Sequence, residues 1–86
     1  MFSIEYLESV KDDLARIPKA IKIKLKKAIE KKLALNPIEF GKPLQYSIKG
    51  LRRLRVEDYR IIYQIEINRK VVLIVKIGHR KEVYEE

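Results

Sequence analysis

The sequence predicts an α+β fold in which an N-terminal strand and an α-helical hairpin join a four-stranded, mainly antiparallel sheet. Two observations support this fold class. Apolar and polar residues alternate near the N-terminus and again through the C-terminal half, which is the period of a half-buried strand. Between these regions, apolar residues recur every three or four positions, as they do in amphipathic helices. With 86 residues, the chain is expected to form one domain, residues 1–86.

The N-terminal strand and the helical hairpin come first. In "FSIEYLE", apolar and polar side chains alternate and predict a strand. The first helix is predicted in "SVKDDLARI", with Ser9 as its N-cap and with Asp12 and Asp13 in its first turn. The second helix covers "KAIKIKLKKAIEKKLAL" and ends before Asn36 and Pro37, because a residue before proline avoids helical geometry. Its apolar stripe consists of Ile21, Leu25, Ala28, Ile29 and Leu33.

The C-terminal half predicts three more strands in an antiparallel meander. These strands are "LRRLRVE", "YRIIYQIEI" and "VVLIVKIGHR", joined by tight turns at "ED" and at "NRK". Alternation along the first of them places Arg53 and Arg55 on one face and Arg52 on the other. The preceding segment "PIEFGKPLQYSIKG" contains two prolines and two glycines and is predicted to be a loop.

Basic residues dominate the composition, and they are unevenly distributed. The net charge is +8, and residues 19–36 contain seven lysines and one glutamate. Such an excess of positive charge favours binding to a polyanion, to an acidic protein or to an anionic membrane. The absence of cysteine excludes disulfides and thiolate metal sites, and one histidine cannot form a histidine-rich metal site. No cofactor is therefore expected.

No segment has the pattern of a targeting or membrane sequence. The N-terminal "MFSIEYLESVKDD" is acidic and lacks the basic start and apolar core of a signal peptide. The longest apolar run is far too short to span a bilayer. The lysine-rich helix contains neither Trp nor Phe to anchor it in a membrane interface. We expect a soluble cytoplasmic protein without membrane contacts.

Basic side chains recur on the three meander strands and form the candidate site. Neighbouring strands can gather them on the sheet face that the helices leave uncovered. The guanidinium group is planar and permanently charged, so several arginines on a rigid sheet can clamp a phosphate. Exposed arginines are also common on solvated strand faces, where they protect sheet edges. The candidates are Arg52, Arg53, Arg55, Arg60, His79, Arg80 and Lys81.

The runs "LRRLRVEDYRIIYQI" and "GHRKEVY" resemble the RelE/ParE superfamily of bacterial and archaeal toxins. The predicted order of elements agrees with that superfamily over nearly the whole chain. The RelE branch implies a toxin of a type II toxin–antitoxin system that acts as a ribosome-dependent endoribonuclease. Such toxins cut mRNA in the ribosomal A site, where the 2′-hydroxyl attacks the adjacent phosphate without a metal. The resemblance also implies a cognate antitoxin, which the positive charge predicts to be acidic at the contact surface.

The resemblance implies that the catalytic residues of RelE-type toxins correspond by position to Arg53, Arg60, Arg80 and Tyr84. The end of the last strand is expected to place Arg80, Tyr84 and His79 beside the other arginines. Because arginine is a poor base, the proton of the 2′-hydroxyl needs another acceptor, for which Tyr84 and His79 are the candidates. The residues assigned to binding of RNA and the ribosome are Lys19, Lys22, Lys26, Lys27, Lys31, Arg52, Arg55 and Lys81.

Two other functions stay open at this point. A ParE-like toxin, which inhibits DNA gyrase, has the same fold and similar strand motifs, but such toxins generally lack the full catalytic group. A catalytically degenerate toxin that only binds RNA or an antitoxin is the second alternative, since Leu51 stands where some RelE-type toxins carry a further lysine. The presence of Arg60, Arg80 and Tyr84 favours the ribonuclease.

Overall fold

The computed structural model describes residues 1–44 and 50–81 and has the predicted α+β fold. Within these residues the strands form one five-stranded sheet in the order β1-β5-β4-β3-β2. β1 runs parallel to β5, and the other pairs are antiparallel, so the mainly antiparallel sheet is confirmed. The elements are β1 (Ser3–Tyr6), α1 (Glu8–Ala15), α2 (Lys19–Ala28), a π-helical turn (Ile29–Leu33), α3 (Pro37–Phe40), β2 (Lys42–Pro43), β3 (Arg52–Val56), β4 (Tyr59–Glu66) and β5 (Val71–His79).

The fifth strand, β2, comes from the segment that was predicted to be a loop. Lys42 lies opposite Arg53, and Pro43 lies opposite Arg52. Proline lacks a backbone donor, which a short edge strand tolerates. A strand of two residues gives no alternation, so the sequence pattern did not reveal it.

The same predicted loop also contains α3. The Asn36 side chain accepts a hydrogen bond from the Glu39 N–H at 3.3 Å, and Pro37 occupies the first helical turn. Asn36 and Pro37 were expected only to end the preceding helix, and they also begin the next one. No helix in the described part of the chain is long and apolar enough to cross a membrane.

The start of α1 differs from the prediction that Ser9 is its N-cap. The helix begins at Glu8, and Leu7 occupies the N-cap position without a side-chain cap. The Leu7 N–H donates to the Ile74 carbonyl at 3.0 Å, which continues the pairing of β1 with β5. The sheet therefore determines where the helix can begin, and this contact is not visible in the local sequence.

The hydrophobic core lies between α1, α2 and one face of the sheet. The predicted stripe of α2 is confirmed, since four of its five members are buried and Ile21 packs against them. On β4, Tyr59, Ile61 and Tyr63 face the same core, so the side chains between them point to the opposite face. The buried cluster consists of Val10, Ile17, Leu25, Ala28, Ile29, Leu33, Leu54, Ile61, Tyr63, Val72, Ile74 and Ile77.

Asp13 joins α1 to the part of β5 that β1 does not reach. β1 pairs only with the Val71 to Ile74 part of β5. Beyond it, the buried Asp13 carboxylate accepts a hydrogen bond from the Ile77 N–H at 3.1 Å and one from the Lys76 ammonium at 2.9 Å. The carboxylate thus satisfies a backbone donor at the free edge of the strand.

Replacement of Asp13 by alanine is expected to lower the free energy of unfolding by about 2 kcal/mol, because a buried N–H loses its acceptor. Asp13→Asn retains an acceptor and is expected to lose less. Asp12→Ala is the matched control, since Asp12 is exposed, and its change should stay within about 0.5 kcal/mol. Urea unfolding curves measure all three, and equal stability of the two alanine variants would contradict this role of Asp13.

Candidate nucleic-acid interface

The sheet face opposite the helices carries arginines from two neighbouring strands. Arg55 lies directly across from Arg60, and Arg53 lies across from Ile62. Residues that are opposite each other in an antiparallel pair project to the same face. Arg53, Arg55 and Arg60 therefore share one face, which we call the arginine face.

The three residues of the arginine face differ in exposure. Arg55 is exposed and Arg53 is partly exposed, whereas only 8% of Arg60 is accessible. Charges interact more strongly where water is excluded, so the Arg60 guanidinium can attract a phosphate more strongly than an exposed arginine does.

The turn between β3 and β4 holds Arg80 at the end of the sheet where Arg55 and Arg60 lie. The Arg80 N–H donates to the Asp58 carbonyl at 2.8 Å, and its Nε lies 3.9 Å from Asp58 Oδ1. The Nε of Arg55 donates to the Glu57 carbonyl of the same turn at 3.4 Å. Since Arg60 is the second residue of β4 after this turn, Arg55, Arg60 and Arg80 lie at one end of the sheet.

His79 is not brought to the arginine face, contrary to expectation. It lies opposite Tyr59, and the two rings meet edge to face with their centroids 5.4 Å apart. Tyr59 packs against the core, so His79 lies on the helix side of the sheet. Its Nδ1 accepts a hydrogen bond from the N–H of the exposed Lys81 at 3.2 Å. Tyr84, the other candidate base, lies outside the described residues.

Arg52 was predicted to bind RNA, but its side chain is engaged by the backbone. Its Nη2 donates to the carbonyls of Ile38 at 2.6 Å and Gly41 at 2.9 Å. Next to it, the Tyr63 hydroxyl donates to the Pro37 carbonyl at 2.6 Å. Burial raises the pKa of the Tyr63 phenol above 10.0, although Arg52 acts in the opposite direction, so the hydroxyl keeps the proton that it donates. These bonds hold α3 against β3 and β4.

Replacement of Arg52 by methionine is expected to lower the free energy of unfolding by about 1.5–3 kcal/mol, because two charge-assisted hydrogen bonds to carbonyls are lost. Arg55→Met on the same strand is the matched control, and it should change stability by less than about 0.5 kcal/mol, since Arg55 is exposed. Urea denaturation measures both variants. A stable Arg52→Met protein would assign Arg52 to the binding surface instead.

The lysines of α2 and the π-helical turn lie on two sides of the buried stripe. One group borders β3 and lines a groove of about 410 Å³, which we call the α2–β3 groove. Lys24 in this groove forms an ion pair with Glu57. The residues that line the groove are Lys24, Lys27, Ala28, Lys31, Lys32, Arg55, Val56 and Glu57.

The other lysines lie away from the arginine face. Lys22 and Lys26 border an apolar pocket of about 240 Å³ between the helices. Lys19 is exposed at the start of α2 and lines neither cavity. Of the five lysines of the predicted second helix that were assigned to RNA binding, only Lys27 and Lys31 therefore line the groove that contains Arg55.

Lys42 was missed by the sequence analysis. It lies opposite Arg53 and shares with it a depression of about 270 Å³, which Phe40 and Arg55 also line. The residue falls in the segment predicted to be a loop, where no periodic pattern indicated its neighbours. Pro43, which follows Lys42, is a residue that edge strands tolerate, and it was the feature of the sequence that could have indicated a strand here.

Comparison with known proteins identifies the family of this chain. A sequence model described as the ParE toxin of type II toxin–antitoxin system, parDE, matches residues 4–84. The toxin RelE of Mycobacterium tuberculosis is 35% identical over 72 residues, which cover 84% of this chain and 74% of the relative. The toxin RelG of the same organism is 25% identical over 83 residues, which cover 96% of this chain and 95% of the relative.

The fold agrees with a solved structure of the same kind. The toxin–antitoxin complex RelBE2 from Mycobacterium tuberculosis matches with a TM-score of 0.85 and 25% identity, over 92% of this chain and 98% of the compared chain. The superfamily that the strand motifs resemble is thereby confirmed. The chain belongs to the ParE toxin family of type II toxin–antitoxin systems, within the RelE/ParE superfamily.

Proposed function

We propose that this toxin is a ribosome-dependent endoribonuclease that cleaves mRNA in the A site and so inhibits translation. The observation that carries this proposal is the convergence of Arg55, Arg60 and Arg80 at one end of the sheet, with Arg53 on the same face. Toxins named RelE and RelG are among its relatives. A cluster of guanidinium groups on a rigid sheet suits a phosphate that gains negative charge in the transition state.

The reaction needs no metal in this proposal. The ribose 2′-oxygen attacks the adjacent phosphorus, a new bond from that oxygen to phosphorus forms, and the bond to the 5′-oxygen breaks. Arg60 and Arg80 hold the phosphate, and Arg53 stabilises the departing 5′-oxygen, which takes a proton from water. Tyr84, as the phenolate, is proposed to orient the 2′-hydroxyl and accept its proton, whereas His79 lies on the other side of the sheet.

Positioning of the RNA supplies the rest of the rate enhancement. Holding reacting groups in line can lower a barrier by about 7–11 kcal/mol. The ribosome holds the messenger in this way, which explains why a site without a strong base can be active there. Lys19, Lys22 and Lys26 are proposed to contact ribosomal RNA phosphates from the side of α2 that faces away from β3.

A cognate antitoxin is the proposed protein partner. The solved relative RelBE2 is a toxin–antitoxin complex, and this chain carries a net charge of +8. An antitoxin segment with acidic side chains would therefore be attracted to the toxin over a long range. It would silence the enzyme by covering the arginine face or by displacing Tyr84.

Primer extension on a defined messenger in a translating extract tests the proposal. New 5′ ends inside the translated frame should appear with the purified protein and vanish when translation is blocked. An intact messenger would reject the ribonuclease. The match to a family described as ParE toxins makes inhibition of DNA gyrase the second candidate, which a supercoiling assay would then examine.

A further inference from the structure

We propose that the α2–β3 groove binds the single-stranded RNA that continues from the arginine face. In this arrangement, the substrate strand crosses the arginines and leaves the sheet between α2 and β3. The inference rests on the proposed function for the identity of the strand as substrate. Binding in the groove itself is a property that can be measured without any cleavage.

The groove and the arginine face form one continuous basic strip. Arg55 lines both the α2–β3 groove and the neighbouring depression that contains Arg53 and Lys42. The Lys32 ammonium lies 5.9 Å from the centre of the Phe40 ring in that depression, so it connects the two cavities from the other side. Among the described residues that line the two cavities, a strand that touches Arg53 and Arg55 thus meets further cations.

The charges within the groove favour a polyanion. Five cationic side chains line it, and Glu57, the one carboxylate among its lining residues, is paired with Lys24. Lys27, Lys31 and Lys32 then remain available to successive phosphates. Such contacts are independent of base sequence and release counterions, so they weaken as salt is added.

The opposite end of the sheet is unsuitable for RNA. There the Arg69 guanidinium lies 2.7 Å from Glu66 Oε1 and 3.3 Å from Glu5 Oε2, so two carboxylates surround one cation. A phosphate placed beside them would be repelled. Of these two directions, the charges of the described residues favour the one towards α2.

Phe40 distinguishes a nucleic acid from an acidic protein segment. Phe40 is 44% exposed, and it lines the depression that also contains Arg53. Exposed aromatic rings next to cations are the platforms on which bases of single strands stack. An acidic peptide would use the lysines as well, but it has no base to place on the ring.

The test uses a fluorescent 2′-O-methyl oligouridylate, which lacks the attacking hydroxyl and cannot be cleaved. Its affinity is measured by anisotropy over a range of salt concentrations. Lys27→Gln with Lys31→Gln should weaken binding roughly tenfold at low salt and reduce the salt slope by about 1.4, since each phosphate contact contributes about 0.7. Phe40→Ala should weaken binding roughly fivefold or more without changing the slope.

The matched control is the double variant Lys11→Gln with Lys70→Gln, which removes the same charge from exposed positions outside the groove. It should keep the affinity and slope of the parent protein. Equal effects of the two double variants would overturn the inference, as would an unchanged slope for the groove variant. If the groove variant binds oligoglutamate more weakly but binds oligouridylate as before, the groove binds an acidic protein, and the inference is also overturned.

The assay separates this inference from the proposed function. If the protein cleaves messenger in the translating extract but the groove variant binds oligouridylate as tightly as the parent protein does, only the inference about the groove is rejected. Groove-dependent binding without any cleavage would reject the ribonuclease and keep a single-strand binding groove. Unfolding curves of each variant confirm that the fold is retained before binding is compared.

Discussion

Replacement of Arg60 by glutamine is expected to reduce messenger cleavage by about two to three orders of magnitude. Removal of one preorganised donor to a developing negative charge has an effect of about this size. Arg60 is also the least exposed residue of the arginine face, so water screens its charge less than that of its neighbours. Primer extension in the translating extract measures the loss.

Arg69→Gln is the matched control for Arg60→Gln. Arg69 is paired with Glu5 and Glu66 at the far end of the sheet, and its replacement should leave cleavage unchanged. Because removal of a buried charge can also affect folding, Arg80→Gln provides a second variant at a half-exposed side chain. Full cleavage by both Arg60→Gln and Arg80→Gln would contradict the proposed phosphate clamp.

Gly41→Ala is expected to lower the free energy of unfolding by about 3 kcal/mol, the upper part of the range for overpacked sites. A Cβ atom at this position would lie 1.7 Å from the Tyr63 hydroxyl oxygen and 2.8 Å from the Arg53 carbonyl oxygen. Neither atom can move freely, since one belongs to backbone and the other donates to Pro37. For a domain of this size, the melting temperature should fall by more than about 10 °C.

A double-mutant cycle identifies the cause of this instability. Tyr63→Phe removes the hydroxyl that the new methyl group would meet, so Gly41→Ala should cost at least about 1 kcal/mol less in that background. Gly50→Ala is the control, because its Cβ would meet nothing within 4 Å and only its φ of +67° is unfavourable. A loss of about 1 kcal/mol is expected there. Additive effects of Gly41→Ala and Tyr63→Phe would refute the steric explanation.

The periodic elements could be predicted from the sequence because their patterns are long. The α2 stripe from Ile21 to Leu33 extends over many residues, so the buried side of this helix was assigned correctly. Alternation along "LRRLRVE" likewise placed Arg53 and Arg55 on one face, where the structure also has Arg60. These assignments required only local geometry.

The remaining features depend on contacts between distant parts of the chain. Ser9 has the chemistry of an N-cap, but pairing of Leu7 with Ile74 sets the helix start two residues earlier. Asp13 suited a first turn, whereas the structure uses it as an acceptor for a strand edge. His79 was grouped with the arginines by its position in the sequence, but the register between β4 and β5 shifts beside Ile62 and Tyr63, and this irregularity turns His79 to the other face.

The parallel pairing of β1 with β5 has a consequence for how the toxin is made. Ser3 pairs with Val71 and Tyr6 with Ile74, so the sheet joins segments that are synthesised far apart in time. Contacts of such high sequence separation slow folding, because a long loop must close before they contribute. A nascent chain that lacks β5 leaves β1, Leu7 and Asp13 without partners, and it offers proteases an open polypeptide. The sheet, and with it the toxin fold, can therefore be completed only after β5 has been synthesised.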